Sequence, residues 1–581
     1  MSVGGLPTRH PGHTTGPREH SEFPLYVYEP LESDQHIRLL QVSASTFNFY
    51  NEDDGFPTLS LDELHCELVQ VPLSHCGLYQ AVSYAWGDPA QDHFVRINGQ
   101  YALPITRTLA NTLPQLISIC STGFLWIDQI CIDQSNKQER SLQVSIMGEI
   151  YSCALEVLIW TGGDIDWFPE MKKRLPHSDA LDLHHIEALV QLFCRPWFSR
   201  GWTIQEAVLA NVATVIVGSC LLSLEDLKRA WHRESNKYSG YQLRSCQVGV
   251  ASFEVINSLR NDRSARFRDS GFDGLLNGLG DTRTSDVRDH VYAFLGLNQD
   301  RRIKITPDYN ASACEVFINT TRAIIEGTKT LDCFRFLPFD RSGDLELPSW
   351  VPDWSKKHSR PPVRLHSVTG DLPPFKAAKE FRHNTELCPS LGGDVLWVLG
   401  RVIDTTELRL PGLCSFVDKT IYMRSNVRKS APPRFFSLTD EQVTMIDDLG
   451  LTDRAQSLRE RLLTVMVAGN CDPNSILHMY DNGLPKRGAT EKFDSVTIHR
   501  MRKMWDYQMW LTQSGRLSLI PPIDCEKGDV IAIIHGCETP VLMRSREDGT
   551  YAVLGLCYLE DTMFGEAVTW EENEATFFQL S

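Results

Sequence analysis

FLWIDQICIDQSNKQERSLQVSIMGEIYSCALEVLIW, residues 124–160, decides the architecture. FLWID (124–128) is a compact apolar run too short for a helix, as expected of a strand buried on both faces. Asn136-Lys137-Gln138-Glu139 then starts a helix, with Leu142, Ile146, Ile150 and Cys153 along one face. LEVLIW (155–160) is a second buried strand, ended by Thr161-Gly162-Gly163. Working outward, LYQAVSYAW (78–86) is β-rich and closes at Gly87-Asp88-Pro89, and FVRING (94–99) is a short strand ending in a tight turn. Pro104-Ile105-Thr106 opens a helix carrying Leu109, Leu113, Leu116 and Ile117, and VATVIVG (212–218) is a third buried strand. Short apolar strands alternating with amphipathic helices predict α/β layers around a parallel sheet.

The 581 residues give room for several domains, and 42% hydrophobic content is enough to bury a large core. Residues 1–22 read as disordered, 23–220 as the first domain and 221–355 as a helical region packed on it. A basic, proline-rich loop at 356–375, a mixed region at 376–514 and a β-rich ending at 515–581 complete the expected order. The balance of 57 Lys+Arg against 74 Asp+Glu leaves a net charge of −17, which argues against nucleic acid as a partner. No apolar run reaches the roughly 18 residues of a membrane span, and the N-terminus lacks the apolar stretch of a secretory signal. A cytoplasmic location is therefore expected, and the 16 cysteines are read as thiols.

Three blocks hold residues suited to chemistry. Ser83-Tyr84-Ala85-Trp86-Gly87-Asp88 follows a strand whose carboxyl end would line a ligand crevice, with Gly87 letting a backbone pass close; it also reads as a plain β-turn. Asp128 and Asp133 could hold a divalent metal, orient a ribose diol or simply cap turns. In Arg195-Pro196-Trp197-Phe198-Ser199-Arg200-Gly201-Trp202-Thr203-Ile204-Gln205-Glu206, a carboxyl flanked by tryptophans would have its pKa raised by burial. The alternative there is a capping box, with Thr203 as N-cap and Glu206 at N3. No GxxxxGK[ST], HExxH or GxSxG is present.

AVSYAWGDP (81–89), LWIDQICIDQSNKQERSLQVSIMGEIYSCA (125–154) and RPWFSRGWTIQEAVLA (195–210) resemble, in order, the blocks of the fungal heterokaryon-incompatibility (HET) domain. TSDVRDHVYAFLGL (284–297), LPSWVPDWS (347–355) and the β-rich stretch 528–567 look like the downstream segments of long HET proteins. The resemblance implies a fungal intracellular protein of non-self recognition and programmed cell death. HET domains in turn resemble TIR domains of innate immunity, which implies a TIR-like (flavodoxin-like) parallel-sheet core. In NAD-cleaving TIR domains a glutamate shortly after a serine and a tryptophan is catalytic, and Glu206 falls in its place. Trp86 or Trp202 would then stack on a flat base and Ser83 or Asp128 bind a ribose, with Gly87 at the crevice. The TIR cysteine beside the tryptophan is Thr203 here, and 162–194 is inserted before the glutamate segment.

Two functions follow. One is hydrolysis of the nicotinamide–ribose bond, with NAD as substrate, no permanently bound cofactor and no metal. The other is a non-enzymatic death-signalling module that works by self-association or by binding a protein partner through the HET core.

Overall fold

The structure, a computed structural model, describes residues 23–42, 61–74, 77–174, 183–234, 244–260, 271–339, 345–356, 376–384, 393–410, 480–481, 484–485 and 507–581. The expectations for 1–22, for 357–375 and for most of 411–506 lie outside the described residues. The chain divides into two compact units, Met1–Arg260 and Asn261–Ser581.

The first unit is built on β1 (His36–Val42), β2 (Cys66–Pro72), β3 (Gln80–Tyr84), β4 (His93–Ile97), β5 (Tyr101–Ile105), β6 (Phe124–Trp126), β7 (Glu156–Trp160), β8 (Ala213–Val217) and β9 (Cys220–Ser223). They form one sheet in the order β5-β4-β2-β1-β6-β3-β7-β8-β9. Its centre, β6-β3-β7-β8, is parallel, with Ala81 beside Trp126, Ser83 beside Ile159 and Trp160 beside Ile216. β6, β7 and β8 are the runs read as buried strands, and the β-rich run that forms β3 has all five of its residues buried as well. The sheet as a whole is mixed rather than parallel throughout, because β1 joins β6 and β2 antiparallel and β9 returns antiparallel to β8. β8 and β9 are separated by only two residues, and a connection that short allows only an antiparallel return. The β4–β5 hairpin is joined by three residues, Asn98, Gly99 and Gln100: Asn98 and Gly99 both take positive φ, and the Gln100 amide closes the turn on the Ile97 carbonyl.

Helices α1 (Arg107–Ile119), α2 (Asp128–Cys131), α3 (Lys137–Cys153), α4 (Phe168–Arg174), α5 (Leu183–Phe193), α6 (Gly201–Leu209), α7 (Leu224–Glu234) and α8 (Gln247–Arg260) accompany the sheet. Thr106 caps α1 through its side chain, while Pro104 and Ile105 belong to β5 instead of opening the helix. Asn136 caps α3 by accepting from the amides of Gln138 and Glu139. A buried ion pair ties this helix to β1: Arg38 meets Glu139 at 2.5 and 3.0 Å and also donates to the carbonyls of Glu29 and Cys131.

The second unit holds helices Gly271–Leu279 and Ala313–Thr328, the latter started by a Ser312/Glu315 capping box. Its strands 530–534, 541–545, 551–556 and 576–580 pair in that order and continue onto Leu396–Leu410. That long strand also pairs with 530–534, which closes the five strands into a ring. The sheet thus has fewer exposed edges, a protection that open sheets must find elsewhere. Cys153 is disulfide-bonded, so the reading of every cysteine as a thiol fails there; eleven described cysteines are free.

Candidate functional site

Parallel strands bring their carboxyl ends to one edge, and the crevice-forming segments lie just beyond it. Ser83 occupies the end of β3 and is fully buried. Its neighbour across the sheet is β7, and α6 delivers Glu206 above it. The Ser83 hydroxyl donates to Oε2 of Glu206 and accepts from the indole Nε1 of Trp197 at 2.8 Å. Glu206 is 1% exposed, and its second oxygen, Oε1, has no hydrogen-bond partner.

The capping-box reading of Glu206 is not what forms. The residue preceding α6 is Arg200, which makes no side-chain cap, and Thr203 donates backwards to the carbonyls of Trp197 at 2.8 Å and Arg200 at 2.7 Å. Glu206 lies in the body of the helix, where no free amide remains to hold it, and its carboxyl turns to the strand.

A second carboxyl stands nearby. Asp128 begins α2 after β6, accepts from the Gln129 amide at 2.8 Å and receives the Trp86 Nε1 proton at 2.9 Å. Asp133 does not join it: it accepts from Ser135 N and Oγ in a local turn. Arg200 links the parts. Its guanidinium donates to the Tyr84 carbonyl, lies 3.8 Å from Asp128 and sits over the Trp86 ring, 5.7 Å from its centroid. Burial pushes the Glu206 carboxyl up to about 7, with Arg200 pulling down and the Asp128 charge pushing up. Burial likewise raises Asp128, against Arg200 and the Trp86 hydrogen bond.

Gly87 follows at φ +71°, and a Cβ there would strike the Thr108 hydroxyl, so both conformation and space require glycine. Trp202 is buried in the first turn of α6 and enters none of the hydrogen bonds just described. Ser83, Trp86, Asp128 and Glu206 are therefore brought together, while Gly87 lies against Thr108.

Trp197 and Arg200 belong to this constellation, and the reading of the sequence did not single them out. Arg200 is a charged residue between two tryptophan blocks, which is a usable signal; nothing local marks Trp197 as the donor to Ser83. Tyr151 on α3 completes the floor, donating to the Val82 carbonyl at 3.0 Å and meeting Trp126 edge-on at 5.3 Å. Of the inserted segment, the Phe193 ring at the end of α5 lies against Phe198, Trp231 and Phe253.

Residues 79–206 match the family model of the heterokaryon incompatibility protein (HET), a stretch that closes on Glu206. Residues 486–580 match the Het-6 beta-barrel domain. The chain is 23% identical over 683 aligned positions to "Heterokaryon incompatibility protein 6, OR allele" of Neurospora crassa, covering 95% of this chain and 97% of that protein. No solved structure matches it. The resemblance to HET-domain proteins is thus shown on both units, and no described helix is long and apolar enough to cross a membrane.

Proposed function

We propose that this chain acts in fungal non-self recognition of the heterokaryon-incompatibility type, and that its first unit cleaves the nicotinamide–ribose bond of NAD⁺ at Glu206. The recognition role is supported by the family match and by the relative aligned along nearly the whole chain. The cleavage reading is carried by one observation: Glu206 keeps a buried, unpartnered oxygen at the carboxyl end of β3, beside Asp128 and Arg200.

The reaction consumes water and NAD⁺ and yields nicotinamide, ADP-ribose and a proton. As the C1′–N bond breaks, positive charge builds on the ribose, and a carboxylate held in a dry site stabilises it far better than in water. Nicotinamide leaves neutral, so no acid is required. Ser83 fixes one Glu206 oxygen and leaves the other for the ribose. Arg200 favours the ionised form, which is the acting one. Because Glu206 is 1% exposed, substrate entry requires the side chains that cover it to move aside.

The same burial supports a second reading, in which the Ser83–Glu206 bond only positions α6 on the sheet and the unit works by self-association or partner binding. Nicotinamide release from NAD⁺ by the full-length chain and by Glu206→Gln separates the two. Turnover that the folded variant loses fits the first, and a folded chain inert at high concentration fits the second.

A further inference from the structure

We propose that Cys194 and Cys246 form a redox-active dithiol, a site at which a hydroperoxide converts the chain to an intramolecular disulfide. Cys194 follows α5 and is the one exposed free cysteine among the described residues. Cys246 ends the 3-10 turn Arg244–Cys246, directly before α8, and is buried. The Cys194 thiol is close enough to push the Cys246 thiol up, second only to burial as a cause. The backbone holds them there: a Cβ on Gly249 would run into the carbonyl oxygen of Phe193, so the start of α8 lies directly against the end of α5. The Phe193 ring packs at 5.0 Å on Phe253 of the same helix.

The pair has the division of labour that such chemistry needs, an accessible thiol beside a resolving one. Burial pushes the Cys246 thiol up to about 11, so it stays protonated and does not react first. Cys194 meets the oxidant: its sulfur attacks the hydroperoxide, the O–O bond breaks, and a sulfenic acid and water (or an alcohol) result. Cys246 then gives up its proton and its thiolate attacks the Cys194 sulfur; the S–O bond breaks, and the departing hydroxide takes up that proton and leaves as water. Two thiols are oxidised by two electrons in all, and the hydroperoxide is reduced.

The disulfide would staple α5 to α8 immediately ahead of Arg195-Pro196-Trp197. That segment carries the indole that donates to Ser83 at 2.8 Å, so oxidation acts on the strut behind Glu206. The inference does not rest on NAD cleavage.

The test uses reduced full-length chain, titrated with hydrogen peroxide, alkylated and digested without reductant. The expected product is a peptide pair joining Cys194 to Cys246, absent in Cys194→Ser and Cys246→Ala. In folded Cys246→Ala, dimedone should label Cys194, since the resolving thiol is gone. Dimedone adducts or higher oxides on Cys194 of the unaltered chain, with no link to Cys246, would overturn the proposal. So would a link from Cys194 to any other cysteine.

Discussion

Ser83 and Glu206 lie 123 positions apart, and the Ser83 hydroxyl donates its proton to Oε2 of Glu206. The direction is fixed by Trp197, whose indole can only donate and fills the acceptor side of the same hydroxyl. Ser83 is therefore a one-way relay. It joins a strand end, the 3-10 turn Pro196–Ser199 and α6 through their side chains, beside the bonds that Thr203 and Arg200 make to the carbonyls of Trp197 and Tyr84.

Ser83→Ala should be costly for its size. It leaves the Trp197 N–H and Glu206 Oε2 buried without their partner, a loss of about 2–4 kcal/mol by the usual cost of orphaned buried groups. The Ser83 hydrogen bond also lowers the Glu206 pKa, so the variant should titrate Glu206 higher still. Urea unfolding of the variant at wild-type stability would remove the relay from the account.

Glu206 makes the first unit sensitive to pH in a defined direction. Its carboxyl rises from the ordinary 4.5 to about 7 on burial, so the folded chain binds the proton more tightly than the unfolded one. The group's contribution is complete below about pH 4.5 and is lost as pH rises through about 7. Across that window Glu206→Gln, which cannot ionise, should gain about 3 kcal/mol on the wild type. Parallel stability curves for the two proteins would contradict this.

The second unit should respond in the opposite sense. Burial, then the charges of Lys329 and His535, lower His383 from 6.5 to about 4. A depressed histidine contributes fully above pH 6.5, and its contribution falls away as pH drops toward 4. Hydrogen-exchange protection in 530–545, whose Gly536 packs on His383, should fall between pH 7 and 5 more than in a His383→Gln variant once the intrinsic pH dependence of exchange is divided out. An equal loss of protection in both would assign the effect to other groups.

The Arg38–Glu139 pair offers a double-mutant test. Arg38→Met strands a buried carboxylate and should cost about 3–5 kcal/mol, whereas Arg38→Met with Glu139→Leu should recover most of it. Chemical denaturation of the three variants measures the coupling. Additive losses would mean that the pair is not a unit.

The centre of the sheet was legible because β6, β7 and β8 are apolar runs too short for helices, each bounded by turn residues. The edges were not. CELVQVP forms β2 with most of its residues half-exposed, so no apolar run announces it. Leu396–Leu410 is one strand of the ring, but it lies in the stretch 376–514 read only as mixed, and its Asp404, Thr405, Thr406 and Glu407 break any apolar run. At the site, Ser83, Trp86, Asp128 and Glu206 could be picked out as chemistry-bearing types within motifs. Thr203 and Glu206 have the spacing of a capping box whether or not a helix begins there, and only the fold decides that it begins at Gly201. A contact across 123 residues leaves no trace in local spacing.

The central claim is that Glu206 is the acting carboxylate of an NAD⁺-cleaving site. It is tested most directly by following nicotinamide release from NAD⁺ by the full-length chain, beside Glu206→Gln verified as folded. The account predicts turnover that rises as pH passes about 7, where Glu206 ionises, and that the variant abolishes. Turnover undiminished in Glu206→Gln, or none from well-folded wild-type chain at high concentration, would contradict it.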